Sequence, residues 1–175
     1  MRSLQKKYII TGAPGTGKTT TINLLKNTIS CMDEVSRKVI LDEQKNNSNG
    51  VPWEDINRFS DLVFNVTSKE LLISDALVCD RSLLDLEAYL ALENKTIPHY
   101  LQRFPYQDTY HKTVFFAPTW FDIYCQDGQR LQEFDYCLKL EKVLLEQYKN
   151  KGFTIVILPK YSAEKRTKLI LEYIL

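Results

Sequence analysis

Short apolar runs alternate along this chain with stretches whose apolar residues recur every three or four positions, and the two periods predict strands and helices in turn. Tyr8-Ile9-Ile10 is the first run, apolar without alternation, as in a central strand covered by helices on both faces. From Gly17 to about Ser30, Ile22, Leu25 and Ile29 recur at helical spacing. Between Cys31 and Gln44, Val35, Val39 and Ile40 share a second helical face, which places Glu34 and Arg37 near that helix's start. Lys45-Asn46-Asn47-Ser48-Asn49-Gly50 has nothing to bury and predicts a mobile surface loop. Pro52 suits the first turn of another helix, and Ile56, Phe59, Val63 and Val66 carry its period towards Ser74.

The second half continues in the same manner. Asp75-Ala76-Leu77-Val78-Cys79-Asp80-Arg81-Ser82 is a short apolar strand ended by an acid, a base and a helix cap. Ser82 with Asp85 has the S-x-x-D capping pattern ahead of a helix from Leu83 to Glu93. Pro98 to His111 is dense in aromatics, with Tyr100, Phe104, Tyr106 and Tyr110 able either to pack in the core or to stack on a flat substrate ring. His99 and His111 lack metal-ligand spacing and read as surface or hinge residues. Thr113 to Ala117 is a buried strand, followed by a long connection from Thr119 to Arg130 with a sharp turn at Asp127-Gly128, a candidate lid. Leu131, Phe134, Leu138, Leu145 and Tyr148 mark a long helix ending before Gly152. Phe153 to Pro159 is the last central strand, and Ser162 caps a final helix with Leu169, Ile170 and Tyr173 on the sheet. Strands and helices in alternation imply an α/β fold, a three-layer doubly wound parallel sheet of about five strands. Residues 1–175 are expected to make one domain.

Chemistry enters between the first strand and the first helix. Gly12-Ala13-Pro14-Gly15-Thr16-Gly17-Lys18-Thr19-Thr20 contains G-x-x-x-x-G-K-[ST], a phosphate-binding loop. Glycines let backbone N–H groups curl around a phosphate, and the N-terminus of the next helix adds positive potential. Lys18 is expected on the β- and γ-phosphates of a nucleoside triphosphate, and the Thr19 hydroxyl on Mg²⁺. Asp80 and Arg81 fall at a strand's carboxyl end, where ligands of open α/β sheets bind. Asp80 can orient Mg²⁺ or accept a proton from an attacking hydroxyl, and Arg81 can hold a phosphate or the acceptor. A simple Asp80–Arg81 pair tying strand to helix is the bland alternative. Val39-Ile40-Leu41-Asp42-Glu43 has the apolar-then-acidic form of a Walker B strand, but the helical period through it puts its acids on a solvated helix end. Arg130 is placed to close on the phosphates from the lid, or else is solvated opposite Glu133. No N-K-x-D element argues for guanine over adenine.

Composition narrows the field further. The 175 residues carry 23 Lys plus Arg against 22 Asp plus Glu, so a net charge of +1 supplies no global field for nucleic acid or an anionic membrane. Four cysteines without C-x-x-C or zinc spacing suggest a reducing compartment, and Cys79 reads as a small buried thiol. No stretch approaches a membrane span and the N-terminus has no leader-like apolar region, so a cytoplasmic protein is expected, its oligomeric state left open.

The motifs together resemble a family of small P-loop ATPases filed with AAA-type domains, which includes the ribosylnicotinamide kinase domain of NadR proteins. They are Thr11 to Thr20, Glu34 with Arg37, Asp80-Arg81-Ser82 with Asp85, Phe116 to Trp120, Asp127 with Arg130, and Ile155 to Pro159. The Asp80-Arg81-Ser82 element is also similar to the D-R or E-R-S motif of nucleoside and nucleoside monophosphate kinases. The resemblance implies ATP and Mg²⁺ as ligands, Asp80 as base and metal-orienting group, Arg81 on the acceptor, Glu34 and Arg37 lining the acceptor pocket, and Arg130 on the lid. It further implies transfer of a γ-phosphate to a nucleoside-like hydroxyl. The other reading is an ATPase- or GTPase-type regulator with no small-molecule acceptor.

Overall fold

The computed structural model describes residues 5–125 and 132–175. Among these, five parallel strands form one sheet: β1 (Lys7–Thr11), β2 (Cys31–Met32), β3 (Val78–Asp80), β4 (Tyr110–Phe116) and β5 (Thr154–Ile157), in the order β2-β3-β1-β4-β5. The helices are α1 (Lys18–Leu25), α2 (Val35–Lys45), α3 (Ile56–Ile73), α4 (Leu83–Leu92), the short α5 (His99–Gln102) and α6 (Tyr106–Thr109), α7 (Phe134–Asn150) and α8 (Ala163–Ile174).

The uninterrupted apolar runs have a direct cause. Successive strand residues point to opposite faces, and both faces of the sheet are covered. Ile9, Cys79, Val114 and Phe116 join the core beneath α2, α3, α4 and α7. Ile10, Val78, Phe115 and Ala117 join a second cluster with Ile22, Leu25 and Ile170 of α1 and α8. The register pairs Ile9 with Cys79 and Val114, and Ile10 with Asp80 and Phe115. The carboxyl ends of β1 and β3 therefore lie side by side. From β1 the chain crosses towards β2, and from β3 it crosses the other way to β4, so a crevice opens between these two ends.

Several expectations are corrected. The first helix ends at Leu25, and Cys31–Met32 pairs in parallel with Val78 and Cys79 as an edge strand. Two residues are too few for any hydrophobic period to register. His111 lies within β4, its ring tilted against that of Tyr8 at 4.1 Å between centroids, and is no hinge. The Val39–Glu43 stretch is helical as expected, but Glu43 is buried, accepting hydrogen bonds from Gly50 N (2.8 Å) and Arg58 Nη2 (3.3 Å). The polar segment 45–50 is thus tied back onto α2 by a carboxylate that sequence reading had left in solvent. A Cβ on Gly50 would sit 2.4 Å from that carboxylate, which is why the turn closes on glycine. Tyr106 and Tyr110 settle the aromatic-dense region as core packing. No helix among the described residues is long and apolar enough to cross a membrane.

Candidate nucleotide and phosphoryl-transfer site

The glycine loop joins the end of β1 to α1. Gly12 has φ 144°, and a Cβ there would lie 2.2 Å from the Ala117 carbonyl oxygen, so only glycine lets the chain turn beside the end of β4. Gly15 (φ 74°) lies under the Tyr124 ring, which a Cβ would meet at 2.9 Å. Lys18 is folded back into the loop, donating to Gly12 O (3.0 Å), Ala13 O (2.7 Å) and Thr16 Oγ1 (3.1 Å). Burial, with the nearby Arg81 guanidinium adding to it, pulls its pKa down to about 7. Thr19 and Thr20 are exposed on the first turn of α1, facing the cleft.

The end of β3 supplies the opposing groups. Arg81 takes a left-handed backbone conformation (φ 69°), and its N–H bonds to Ile10 O (2.9 Å). Its side chain donates to Glu34 Oε1 (2.8 Å), Asp85 Oδ2 (3.1 Å) and Gly12 O (2.9 Å). The expected strand-to-helix tie is therefore formed by Arg81 with Glu34 and Asp85, not with Asp80. Ser36 Oγ donates to Glu34 Oε1 (2.7 Å), and Arg37 Nε lies 3.3 Å from Glu34 Oε2. Burial alone would raise the Glu34 pKa, yet the charges of Arg81 and Lys18 and the Ser36 hydroxyl hold it down to about 2. Asp80 experiences the opposite balance. Burial and the Glu34 carboxylate raise its pKa to about 7 against the pull of Lys18 and Arg81, and its Oδ1 is buried without a hydrogen-bond partner.

Asp85 does not complete the cap. Ser82 Oγ accepts from Leu84 N, while Asp85 accepts from Thr11 Oγ1 (2.7 Å), Arg81 and Tyr148 OH (2.6 Å). Tyr148 also pairs with Ser82 Oγ (2.7 Å), so α7 is joined to the root of the loop through fully buried hydroxyls. Tyr148→Phe is expected to cost about 1.5–3 kcal/mol of stability, since a hydrogen bond to a buried carboxylate is lost. Urea denaturation measures this, and nucleotide affinity should change little.

The loop from Pro14 to Thr20, Glu34, Asp80, Arg81, Ser82 and Asp85 line a cleft of about 450 Å³. On one side lies a largely apolar compartment with Ile40, Phe59, Val63, Leu86, Tyr89 and Arg37. On the other are Trp120, Ile123, Tyr161 and Arg166, from the connection after β4 and the start of α8. Pro14 to Thr20, Glu34, Arg37, Asp80 and Arg81 thus line one cleft, Gly12 and Ala13 adjoin it through carbonyls bonded by Lys18 and Arg81, and Arg130 lies outside the described residues. Phe59, Tyr89 and Arg166 had escaped notice as site residues. The first two are hidden in helical periods. Arg166 did leave a signal, because a cation in the opening turns of a helix opposes the helix dipole.

The described residues include no group of three or more His, Cys, Asp or Glu that could hold a metal ion. Mg²⁺ keeps most of its waters and takes one or two protein ligands beside substrate phosphates. The Thr19 hydroxyl and the unpartnered Oδ1 of Asp80 fit this demand.

Residues 7–166 match the model of a family described as an AAA domain. No curated protein sequence matches the chain. Among solved structures, the chain is similar to deoxyadenosine kinase from M. mycoides with dCMP and dCDP bound: TM-score 0.68, 16% identity, 96% of this chain and 97% of that one. It is similar to thymidylate kinase from Candida albicans, with TM-score 0.64, 15% identity, and 97% and 91% of the two chains covered. Shikimate kinase from Aquifex aeolicus gives TM-score 0.57 at 17% identity, over 96% and 95% of the chains. At such identities these likenesses establish the three-layer P-loop fold.

Proposed function

The chain belongs to the AAA domain family, and from that premise we propose that it is a single-domain ATP-dependent phosphotransferase acting on a small hydroxyl-bearing, nucleoside-like acceptor. One observation carries the reading: Asp80, whose Oδ1 is buried without a hydrogen-bond partner, lines the same cleft as the phosphate loop and the apolar side chains of Ile40, Phe59, Val63 and Leu86. The similarity to deoxyadenosine and thymidylate kinases points the same way.

In this scheme the backbone N–H groups of Gly15 to Thr19 and the Lys18 ammonium hold the β- and γ-phosphates of ATP. Mg²⁺, when bound through Thr19 and Asp80, supplies charge neutralisation at the phosphates. Asp80, beside Ile10 in the sheet register and lining the same cleft as the loop, is the group given the proton of the acceptor hydroxyl as it attacks, and its raised pKa suits that exchange near neutral pH. Arg81, fixed by Glu34, Asp85 and Gly12 O, presents a held positive charge between acceptor and phosphates. Glu34 and Arg37 border the compartment, and Phe59 and Tyr89 offer aromatic surface to a flat ring.

ADP formation from Mg·ATP, measured with and without ribonucleosides, deoxynucleosides and ribosylnicotinamide, tests this. At least one acceptor should raise ADP formation well above the protein's own rate. A rate indifferent to all of them would favour the nucleotide-dependent regulator.

A further inference from the structure

Arg166 is 1% exposed, lies in the wall of the cleft, and forms no salt bridge with any described carboxylate. Its partners are two backbone carbonyls: Nε donates to Pro159 O (2.7 Å) after β5, and Nη1 donates to Thr16 O (2.6 Å) in the phosphate loop. Nη2 is buried with no hydrogen-bond partner. The guanidinium carbon sits 5.4 Å from the centre of the Trp120 ring, and Nη1 lies 3.3 Å from where a Cβ on Gly17 would stand. A buried cation without a counter-charge is costly, and burial lowers the pKa of this arginine. The N-terminal turns of α8 add positive potential, which makes the ligand-free position worse.

Resting on the nucleotide-binding reading above, we propose that Arg166 is a positioning residue for the triphosphate. It clamps the phosphate loop to the β5–α8 connection, and its charge is compensated when the phosphates arrive. The two carbonyl bonds fix the loop segment Thr16–Gly17 that leads into Lys18. The guanidinium also lies over the Trp120 ring at cation–π distance, so that one fork joins three walls of the site: the glycine loop, the connection after β4 and the start of α8. The same uncompensated charge then draws in a polyanion.

The test is the dissociation constant of ATP, ADP and AMP for wild type, Arg166→Gln and Arg166→Lys, with folding of each ligand-free variant followed by circular dichroism. Arg166→Gln should weaken ATP by roughly tenfold or more, as for loss of a charged hydrogen-bonding group, and AMP by clearly less. Arg166→Lys, which keeps the charge, should retain most of the preference for ATP over AMP. It carries the test by itself if the glutamine variant does not fold. Unchanged ATP affinity in Arg166→Gln, equal weakening of ATP and AMP, or loss of the ATP preference in Arg166→Lys would overturn the assignment. A wild-type protein that binds none of the three nucleotides would instead overturn the nucleotide reading on which it rests.

Discussion

Replacing Lys18 by Ala is expected to lower kcat/KM for ATP by about 10²–10³-fold, the scale of removing one preorganised donor from a site of developing charge. This ammonium is bonded to Gly12 O, Ala13 O and Thr16 Oγ1, so it lies within the cradle that the phosphates would enter. Its removal leaves Gly12 O still bonded to Arg81 Nη1, and the loss of stability should be confined to about 1 kcal/mol per missing bond. A second signature follows from the lowered pKa. Burial leaves Lys18 partly neutral near pH 7, and a bound triphosphate restores its charge, so ATP binding at pH 7–8 should take up protons. Titration calorimetry in buffers of different ionisation enthalpy reads that uptake, which Lys18→Ala should abolish. ATP affinity retained in this variant would contradict the role given to the loop.

Replacing Asp80 by Asn is expected to reduce turnover by about 10²–10⁴-fold, the range for a general acid–base group, while ATP affinity changes far less. Equal loss of turnover and affinity would mark Asp80 as a metal or structural group alone. Because kcat/KM reports the free enzyme, wild-type kcat/KM should rise with pH through about 7 as Asp80 ionises, and the asparagine variant should lose that limb. Stability should move in the opposite direction. The folded carboxyl keeps its proton to a higher pH than the unfolded chain does, so the contribution is full below the unfolded pKa and lost as pH rises through about 7. Glu34 works the other way, its contribution present above the unfolded pKa and lost as pH falls towards about 2. Thermal unfolding of wild type and Asp80→Asn between pH 2 and 8 separates the two, since the limb that falls towards pH 7 should disappear in the variant while the loss below pH 4.5 that belongs to Glu34 remains.

The glycine loop and the sheet were readable because each depends on local chemistry: glycines where the chain must pass another backbone, and apolar runs where both faces are covered. Asp80 and Arg81 were readable as a pair at a strand end, but their partners were not. Arg81 reaches Glu34 across 47 residues, and Asp85 reaches Tyr148 across 63, distances in sequence that no local pattern spans. Asp85 illustrates the difficulty, since a capping pattern at the right spacing concealed a carboxylate turned towards Thr11, Arg81 and Tyr148. Glu43 was misplaced for a related reason, because a polar loop folds back and buries it. The compartment beside the loop is assembled from α2, α3 and α4, so its Phe59 and Tyr89 carried no mark beyond helical spacing.

Following the γ-phosphate itself tests the central claim most directly. With γ-labelled ATP, Mg²⁺ and a mixture of nucleosides, the label should appear in a phosphorylated acceptor, and Asp80→Asn should suppress that product. Label released only as inorganic phosphate, at a rate independent of every acceptor, would contradict the account.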